Sequence, residues 1–374
     1  MQGKNAVILI AISMFCGQWY EHSIQDPCND EMIMQVKGSW KKHPDANMIN
    51  DRNEGQVIAR VDNISKLFQW AYPEPKGIEA AWFRTMSGNP LINGGPIPYE
   101  FNSSYKSWYC NQQMHKILLG AETGTWAYVC INSFGWFMTS QYDQLGLSLH
   151  GNTLYRLPPK IGTWKGNTLY QVRSWSNRNG CIILTHHNQL PWKPVSQLQY
   201  CTLVREFWDM QKKKTASSYN LQEDELRKMI IANQNNKNLK EADREKIIAG
   251  LQKKLEDIQQ TKEANISRTN KYWEEKIAVI DNYLRLTDAA TLQGPAFVDN
   301  RSSGDFSGAL SSEQKGGQML VTINTEYFNT QLPRYVPQLI VLLWKWGRDT
   351  PSLDFKKQFE EHFPVDKLND LLDK

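Results

Sequence analysis

Two adjacent histidines are the first candidates for a catalytic role. His186 and His187 follow the apolar run 181–184. Either could act as a general base or metal ligand, because imidazole titrates near neutral pH. Adjacent residues on a strand face opposite sides, so both could line one site only if the strand ends there. The alternative interpretation is one packed and one exposed histidine at a strand end.

Two further pairs have the right chemistry but no spacing that brings them together. Cys110 and His115 could form a cysteine nucleophile with its base, with Asn111 or Glu122 as an orienting group. Glu100 and Glu122 could act as the paired carboxylates of a glycosidase, which needs them ~5 Å or ~6.5–9.5 Å apart. The surrounding aromatic residues would suit sugar stacking, and they would equally suit a hydrophobic core.

Several common catalytic and cofactor-binding motifs are absent from the sequence. It contains no phosphate-binding GxxxxGK[ST] loop, no GxGxxG, no HExxH and no GxSxG. These absences argue against P-loop nucleotidases, dinucleotide enzymes, zincins and the commonest serine hydrolases. We therefore predict no cofactor, and the lack of any CxxC spacing leaves no predicted metal site.

Composition excludes several other classes of protein. The 374 residues carry a formal charge of +4, and 40% of them are hydrophobic. The charge balance argues against a strongly basic nucleic-acid binder and against an acidic disordered chain. The mean hydropathy of -0.57 argues against a multi-span membrane protein. At roughly 150 residues per domain, the length suits two domains or one with a large insertion.

The pattern of apolar residues predicts a sheet-forming region between helices. Helical spacing predicts a helix over about 55–71. Residues 78–192 contain short runs rich in tryptophan, tyrosine, phenylalanine and valine between glycines and prolines, which is typical of antiparallel strands. Apolar runs at 319–328 and 337–346 predict strands that join this sheet, and two short helices follow at 354–363 and 365–372.

The region from 196 to 290 has a different, helical pattern. We predict helices near 196–214 and 221–235 and a long helix over 239–286, with Asn220–Glu223 and Asn238–Glu241 as capping boxes. The long helix would extend ~70 Å. Its apolar stripe could bind a protein partner or pack on the neighbouring helices. Its charges of both signs argue against nucleic acid, and the Gly/Ser-rich segment 291–318 predicts a flexible loop.

The N-terminal residues resemble an export signal. One positive charge at Lys4 precedes the apolar run 6–16, which at ~17 Å is too short to span a bilayer. We predict a signal peptide over 1–17; a buried N-terminal strand is the alternative. The five cysteines that follow could form up to two disulfides or serve as small buried hydrophobic residues, and we favour the latter for at least three of them.

Several stretches resemble those of a known protein family. They are GSWKKHPD (38–45), AYPEPKGIEAAWFR (71–84), PYEFNSSYKSWYC (98–110), GTWAYVCINSFGWFM (124–138), GTWKGNTLYQ (162–171) and NQLPWKPVS (188–196). Together with the apolar N-terminus and the strand at 336–346, they resemble a family of uncharacterised secreted proteins of Bacteroidetes. The resemblance implies a bacterial, exported, periplasmic protein, and it implies no activity, cofactor or catalytic residue.

We therefore predict an α+β protein with a mainly antiparallel, aromatic-rich sheet and a long, coiled-coil-like helical insertion. The body would comprise 18–195 and 319–374, and the insertion 196–290. We expect an exported, periplasmic or extracellular, non-enzymatic protein that binds an envelope component. A protein partner would bind the helix 239–286, a glycan is a second possible ligand, and the mature chain would have no integral membrane span. The alternative is a hydrolase acting on an envelope glycan or peptide.

Overall fold

The computed structural model describes residues 28–48, 51–121, 124–135, 137–138, 154–172, 178–186, 189–299 and 306–374. With 44% helix and 24% strand it confirms the predicted α+β class. The predicted signal peptide at 1–17 lies outside the described residues. Among the described residues, no helix is both long and apolar enough to cross a membrane.

The chain contains seven helices and thirteen strands within its described ranges. The helices are α1 (Asp30–Gln35), α2 (Glu54–Ala71), α3 (Gln197–Gln234), α4 (Glu241–Leu286), α5 (Ala289–Gln293), α6 (Thr350–His362) and α7 (Val365–Asn369). The strands are β1 (Trp40–Lys42), β2 (Ile78–Met86), β3 (Tyr99–Asn111), β4 (Lys116–Leu119), β5 (Thr125–Ile131), β6 (Tyr155–Arg156), β7 (Lys160–Trp164), β8 (Asn167–Tyr170), β9 (Asn179–Thr185), β10 (Trp192–Pro194), β11 (Phe297–Val298), β12 (Gln318–Ile323) and β13 (Leu339–Lys345).

A large sheet forms the centre of the molecule. Its strand order is β1-β2-β3-β5-β13-β9-β8-β7, and β4 pairs with β3. Neighbouring strands are antiparallel except β1 and β2. The apolar strand β13 lies between β5 and β9, and its residues 339–344 are all buried. A short continuous apolar run is typical of a strand covered on both faces, so the predicted strand at 337–346 is confirmed.

Each face of the large sheet carries its own hydrophobic cluster. On one face, α2, α6 and α7 cover the central strands, and Phe68 of α2 contacts Phe101 of β3 and Phe359 of α6 through its ring. The other face packs against the second sheet, where Trp192 and Val321 join Val341 of β13 in a second cluster. The molecule is therefore layered, with helices on one side of the large sheet and a smaller sheet on the other.

The strand near 319–328 does not join the large sheet, so that prediction was wrong. β12 instead pairs with β10, β11 and β6 in a four-stranded second sheet. Both of its faces must be covered, because Leu320 and Val321 are fully buried and point to opposite sides. Val321 packs towards the large sheet, while Leu320 packs towards the base of α3 and α4.

The helical region contains two long helices, not the three predicted. α3 runs unbroken through the gap expected near 214–221, because neither glycine nor proline interrupts it. Asn220 and Glu223 do not cap a helix there; both accept hydrogen bonds from Lys262 of α4, at 2.7 and 2.9 Å. α4 begins at Glu241 with Lys240 as its N-cap, so Asn238 is not a cap either.

The segment predicted as a flexible loop, 291–318, contains regular structure in its described part. α5 extends into it, β11 pairs with β12, and a 3-10 turn covers Glu313–Lys315. Ala296, Val298 and Phe306 are buried in the cluster at the base of α3 and α4. That burial holds the segment against the body, which its polar, Gly/Ser-rich composition could not indicate.

The cysteines divide into one disulfide and a group of buried side chains. Cys28 and Cys110 form a disulfide with their Cα atoms 5.7 Å apart, which links the start of the described chain to β3. Cys130, Cys181 and Cys201 do not belong to this disulfide, and their side chains are buried, as expected for at least three of the cysteines. Burial raises the pKa of Cys181 and raises that of Cys201 to about 12, so neither thiol forms a thiolate near neutral pH.

We expect Leu342→Ala to lower the free energy of unfolding by about 2–5 kcal/mol, because the change leaves a cavity in the fully buried centre of β13. Leu353→Ala is the matched control: Leu353 lies on α6 and is 47% exposed, and its replacement should stay within about 0.5 kcal/mol. Urea unfolding curves of the two variants test this. Equal stability losses would contradict the central position of β13.

Candidate functional site

His186 is held in a structural arrangement at the end of β9. Its Nδ1 lies 3.1 Å from Oδ1 of Asp373 and its Nε2 lies 3.3 Å from the carbonyl oxygen of Tyr327. Its ring stacks on the ring of Tyr327 with centroids 4.4 Å apart. Both ring nitrogens therefore have an oxygen neighbour within hydrogen-bond distance. The histidine fastens the C-terminal residues to the body, which matches the packed interpretation. His187 lies outside the described residues.

Glu100 lies half-buried on β3 in a polar group that includes the buried Asn102. Its Oε2 accepts a hydrogen bond from Thr85 Oγ1 at 3.2 Å, and Asn102 donates to the same Thr85 oxygen at 3.3 Å. On the neighbouring β5, Trp126 and Tyr128 stack at 6.1 Å with their rings 7° from parallel. The second carboxylate of the predicted pair, Glu122, lies outside the described residues, so no carboxylate separation follows.

The predicted cysteine–histidine pair does not exist as a catalytic unit. Cys110 is consumed by the disulfide with Cys28, so it has no thiolate to offer. His115 lies exposed in the turn between β3 and β4, with a left-handed φ of 50°. The spacing of five residues places the histidine in a hairpin turn beyond the end of β3, where it completes the chain reversal.

The described candidates do not converge on one site. Glu100 and Cys110 are ten residues apart on the same strand, which separates them by ~33 Å. Glu100 lies in register with Cys130, Val341 and Ile183 on successive strands. Three strand spacings put β9 ~14 Å away, and His186 lies three residues further along it. Among the described residues, no group of three or more His, Cys, Asp or Glu side chains could hold a metal ion.

A cleft of about 420 Å³ lies near His186 but contains no catalytic group. Its walls are the turn after β7, the end of β9 and α7. Lys165, on its rim, donates to the carbonyl oxygens of Glu361 and Phe363, each at 2.9 Å. The lysine thus caps the C-terminal end of α6. The cleft offers polar walls and no nucleophile–base pair.

The helices α3 and α4 form an antiparallel hairpin whose base is embedded in the body. Val204 and Trp208 of α3 and Ile280 of α4 are buried in the third cluster, together with Val298 of β11 and Leu320 of β12. Ser196 caps α3 by accepting a hydrogen bond from the Gln199 N–H. The second sheet therefore fixes the direction in which both helices leave the body.

The hairpin extends far beyond this base. Past Trp208, the buried side chains among the described residues of α3 are Leu226 and Ile230, and α4 has none between Glu241 and Val279. The third cluster ends at Trp273 on α4. The remaining 241–273 stretch corresponds to ~48 Å of helix. Over that length each helix packs mainly against the other, and the rest of the surface of both helices is exposed.

The two broad faces of the hairpin differ in chemistry. One carries the cross-helix ion pairs of the described chain, which are Arg205–Asp281 at 2.7 Å, Lys212–Glu274 at 2.6 Å and Glu223–Lys262 at 2.9 Å. At 100° per residue, Arg205, Lys212 and Glu223 lie within about 20° of one another on α3, and Glu274 and Asp281 project to the same side of the plane through both helix axes. Lys262 lies between the two helices, on the seam of α4 that faces α3. The opposite face carries most of the hairpin's exposed apolar side chains, which are Met229, Ile247, Tyr272, Val279 and Leu286.

The inner apolar stripe of α4 was predicted from the sequence, but this second, exposed face was not. Its apolar residues are interspersed with charges, so they do not form a run that stands out. Ile247 was predicted to belong to the inner stripe, but the structure leaves it 40% exposed; Met229, 49% exposed, was the available signal for the second face. Neither a protein-family model, nor a curated protein, nor a solved structure matches the chain. The geometry alone therefore supports any proposal about this surface.

We expect His186→Ala to lower the free energy of unfolding by about 1–3 kcal/mol, because two hydrogen bonds and a ring stack are lost. His186→Phe keeps the stack and should recover part of the loss. The control is His115→Asn, since asparagine tolerates the left-handed backbone of that turn, and it should change stability by less than about 0.5 kcal/mol. Thermal unfolding measures all three. An unchanged stability in His186→Ala would contradict the structural role.

Proposed function

We propose that this protein is an exported, non-enzymatic binding protein for a component of the cell envelope, and that the helical hairpin is its interaction arm. The observation that carries the proposal is the length of the hairpin that lies beyond the body. The body's own clusters use only the base of α3 and α4. The distal helices therefore contribute surface and reach that the packing of the body does not require.

The exposed face of the hairpin supports an interaction role. Monomeric proteins expose single apolar residues routinely, but a set confined to one face of a projecting element is typical of a binding surface. Met229, Ile247 and Tyr272 are each at least 40% exposed and share that face. The other face is bridged by ion pairs between the helices, which favours stability of the hairpin itself.

The aromatic surface of the sheet is our proposed contact for a glycan. Trp126 and Tyr128 lie parallel and half-buried on β5, beside a hydrogen-bonded polar group formed by the half-buried Glu100 and Thr85 and the buried Asn102. An apolar ring face next to fixed polar groups suits a sugar, which offers both C–H and O–H surfaces. Sugar binding here would need no catalysis, consistent with a binding protein.

Export is supported by the disulfide and by the sequence of the N-terminal segment. A disulfide between Cys28 and Cys110 persists in an oxidising compartment and is rare in a reducing cytosol. The hydrolase alternative has no comparable support, because the described candidate residues lie apart or have structural partners. The bacterial family resemblance also remains part of this proposal.

The compartment is tested by trapping thiols in intact cells with a membrane-permeant alkylating reagent. Export predicts that Cys28 and Cys110 escape alkylation until the protein is reduced, whereas Cys130, Cys181 and Cys201 become labelled on unfolding alone. Peptide mass spectrometry assigns each site. Alkylation of Cys28 and Cys110 before reduction would show a reduced pair and contradict the proposed compartment.

The role of the arm is tested by shortening it without disturbing its base. Residues 215–271 are replaced by a four-residue Asn-Gly turn, which keeps the Lys212–Glu274 ion pair, Trp208 and Ile280. We expect the variant to fold and to bind envelope fractions at least tenfold more weakly in co-sedimentation, because the projecting surface is gone.

The matched control for this truncation is Leu353→Ala, which alters an exposed apolar residue on the body. It should bind the envelope fractions as the intact protein does. Circular dichroism confirms that each variant is folded before binding is compared. Equal co-sedimentation of the intact and shortened proteins would contradict the proposed role of the arm.

A further inference from the structure

An exposed stripe along α4 has a pattern that is complementary to itself. From Asp243 to Arg268, exposed residues recur at alternating steps of four and three, on the side of α4 that continues the apolar face of the hairpin. This spacing keeps a seam on one side of a helix that pairs with another helix. The stripe is separate from the one that α3 covers, so it is a second seam with no covering helix in the described chain.

The charges of the stripe are complementary to those of a second copy that runs antiparallel to it. Lys254 and Asp257 lie beside its midpoint, and Asp243 and Arg268 lie at its two ends. An antiparallel second copy, related by a two-fold axis between residues 254 and 257, places Lys254 opposite Asp257 and Asp243 opposite Arg268. Each pair occurs twice because such an interface is isologous. Lys254 and Asp257 form no ion pair with any other described residue.

The uncharged positions of the stripe match in size under the same two-fold axis. Ile247 falls opposite Ala264, and Gly250 falls opposite Thr261. In every one of the four pairings the residue numbers add to 511. Small residues thus oppose larger ones, which allows two helices to approach closely.

Gly250 is an independent indication of a close neighbour. It is the sole glycine between 197 and 286, and glycine is the least favoured residue in a helix interior after proline. A Cβ added at Gly250 would meet nothing within 4 Å, so the hairpin's own packing does not require a glycine there. A second helix lying on the stripe would benefit from the missing side chain.

The position of α3 agrees with the same axis. In each cross-helix ion pair, the residue numbers of the two partners add up to 485 or 486, and this sum gives the register between α3 and α4. Met229, 49% exposed and on the same face, therefore lies level with the midpoint between Lys254 and Asp257. The two-fold axis would bring it beside its own counterpart in the second copy.

We propose that the distal hairpin pairs with the distal hairpin of a second copy of this chain, antiparallel and centred between Lys254 and Asp257. The overlap runs from the tip to about residue 270, where the body cluster begins. Two helices over ~40 Å, each ~10 Å wide, cover ~800 Å² per copy and ~1,600 Å² in total, the size of a standard stable interface. The inference rests on the proposed interaction arm and adds a second copy of the chain as a partner of its distal part, besides the proposed envelope component.

The test is a charge exchange measured by analytical ultracentrifugation of the full chain. K254D and D257K each place like charges against each other twice, so each should raise the dissociation constant at least tenfold. The double variant K254D/D257K restores both ion pairs in a dimer of identical chains. Mixing the two single variants restores them in a dimer of one K254D chain and one D257K chain. Both should return the dimer to within about threefold of the intact protein.

The controls are K253D and E256K, which make the same charge changes one residue away, off the stripe, and should leave the dimer intact. G250Q should abolish dimers without loss of helix content. A monomer at 100 µM, or a dimer that is indifferent to K254D, would overturn the proposal. Envelope co-sedimentation separates the two hypotheses. If monomeric K254D still binds the envelope fractions, the proposed function of the arm stands without the dimer. If the intact protein dimerises but binds no envelope fraction, the pairing stands and the proposed function is contradicted.

Discussion

The burial of β13 is the constraint on which the rest of the architecture depends. Residues 339–344 are buried on both faces of the strand, so the large sheet needs a covering layer on each side. α2, α6 and α7 provide one layer and the second sheet provides the other. Because β10 and β11 of that second sheet lie directly before α3 and just after α5, the cover of β13 also fixes the base of the hairpin.

The hairpin shows how one helix can meet two different packing demands. α4 turns one seam towards α3, where Leu226 and Ile230 are buried. Its second seam carries charges and small residues that have no comparable cover within the described chain. The inner seam explains why the hairpin is stable. The proposed pairing with a second copy would account for the residues of the outer seam, at positions where any good helix former would otherwise serve.

The sequence predicted the elements whose signal is local and missed those that depend on distant contacts. The helix at 54–71 and the long helix α4 follow from helical periodicity, and β13 follows from its short continuous apolar run. Asn220 looked like a helix cap because its partner, Lys262, lies 42 residues away. The layer of β12 could not be inferred either. The pattern of apolar residues indicates which faces of a strand are buried, but not which element covers them.

The candidate site was less predictable than the fold for the same physical reason. His186 was recognised as either reactive or packed, and only the position of Asp373, 187 residues later, decides between the two. The disulfide with Cys28 excludes Cys110 as a nucleophile. The exposed stripe of α4 was legible in the sequence, yet its significance required knowing which face α3 covers.

The most direct test of the central claim is the distance between two identical spin labels in the intact dimer, measured by pulsed electron paramagnetic resonance. Labels attached at residue 253 lie beside the proposed axis and should be less than about 25 Å apart. Labels at residue 241, at the tip, should be at least ~43 Å apart, because each tip lies ~22 Å from the axis along the helix. A shorter distance at the tip than at residue 253, or no distance between chains at all, would contradict the antiparallel pairing.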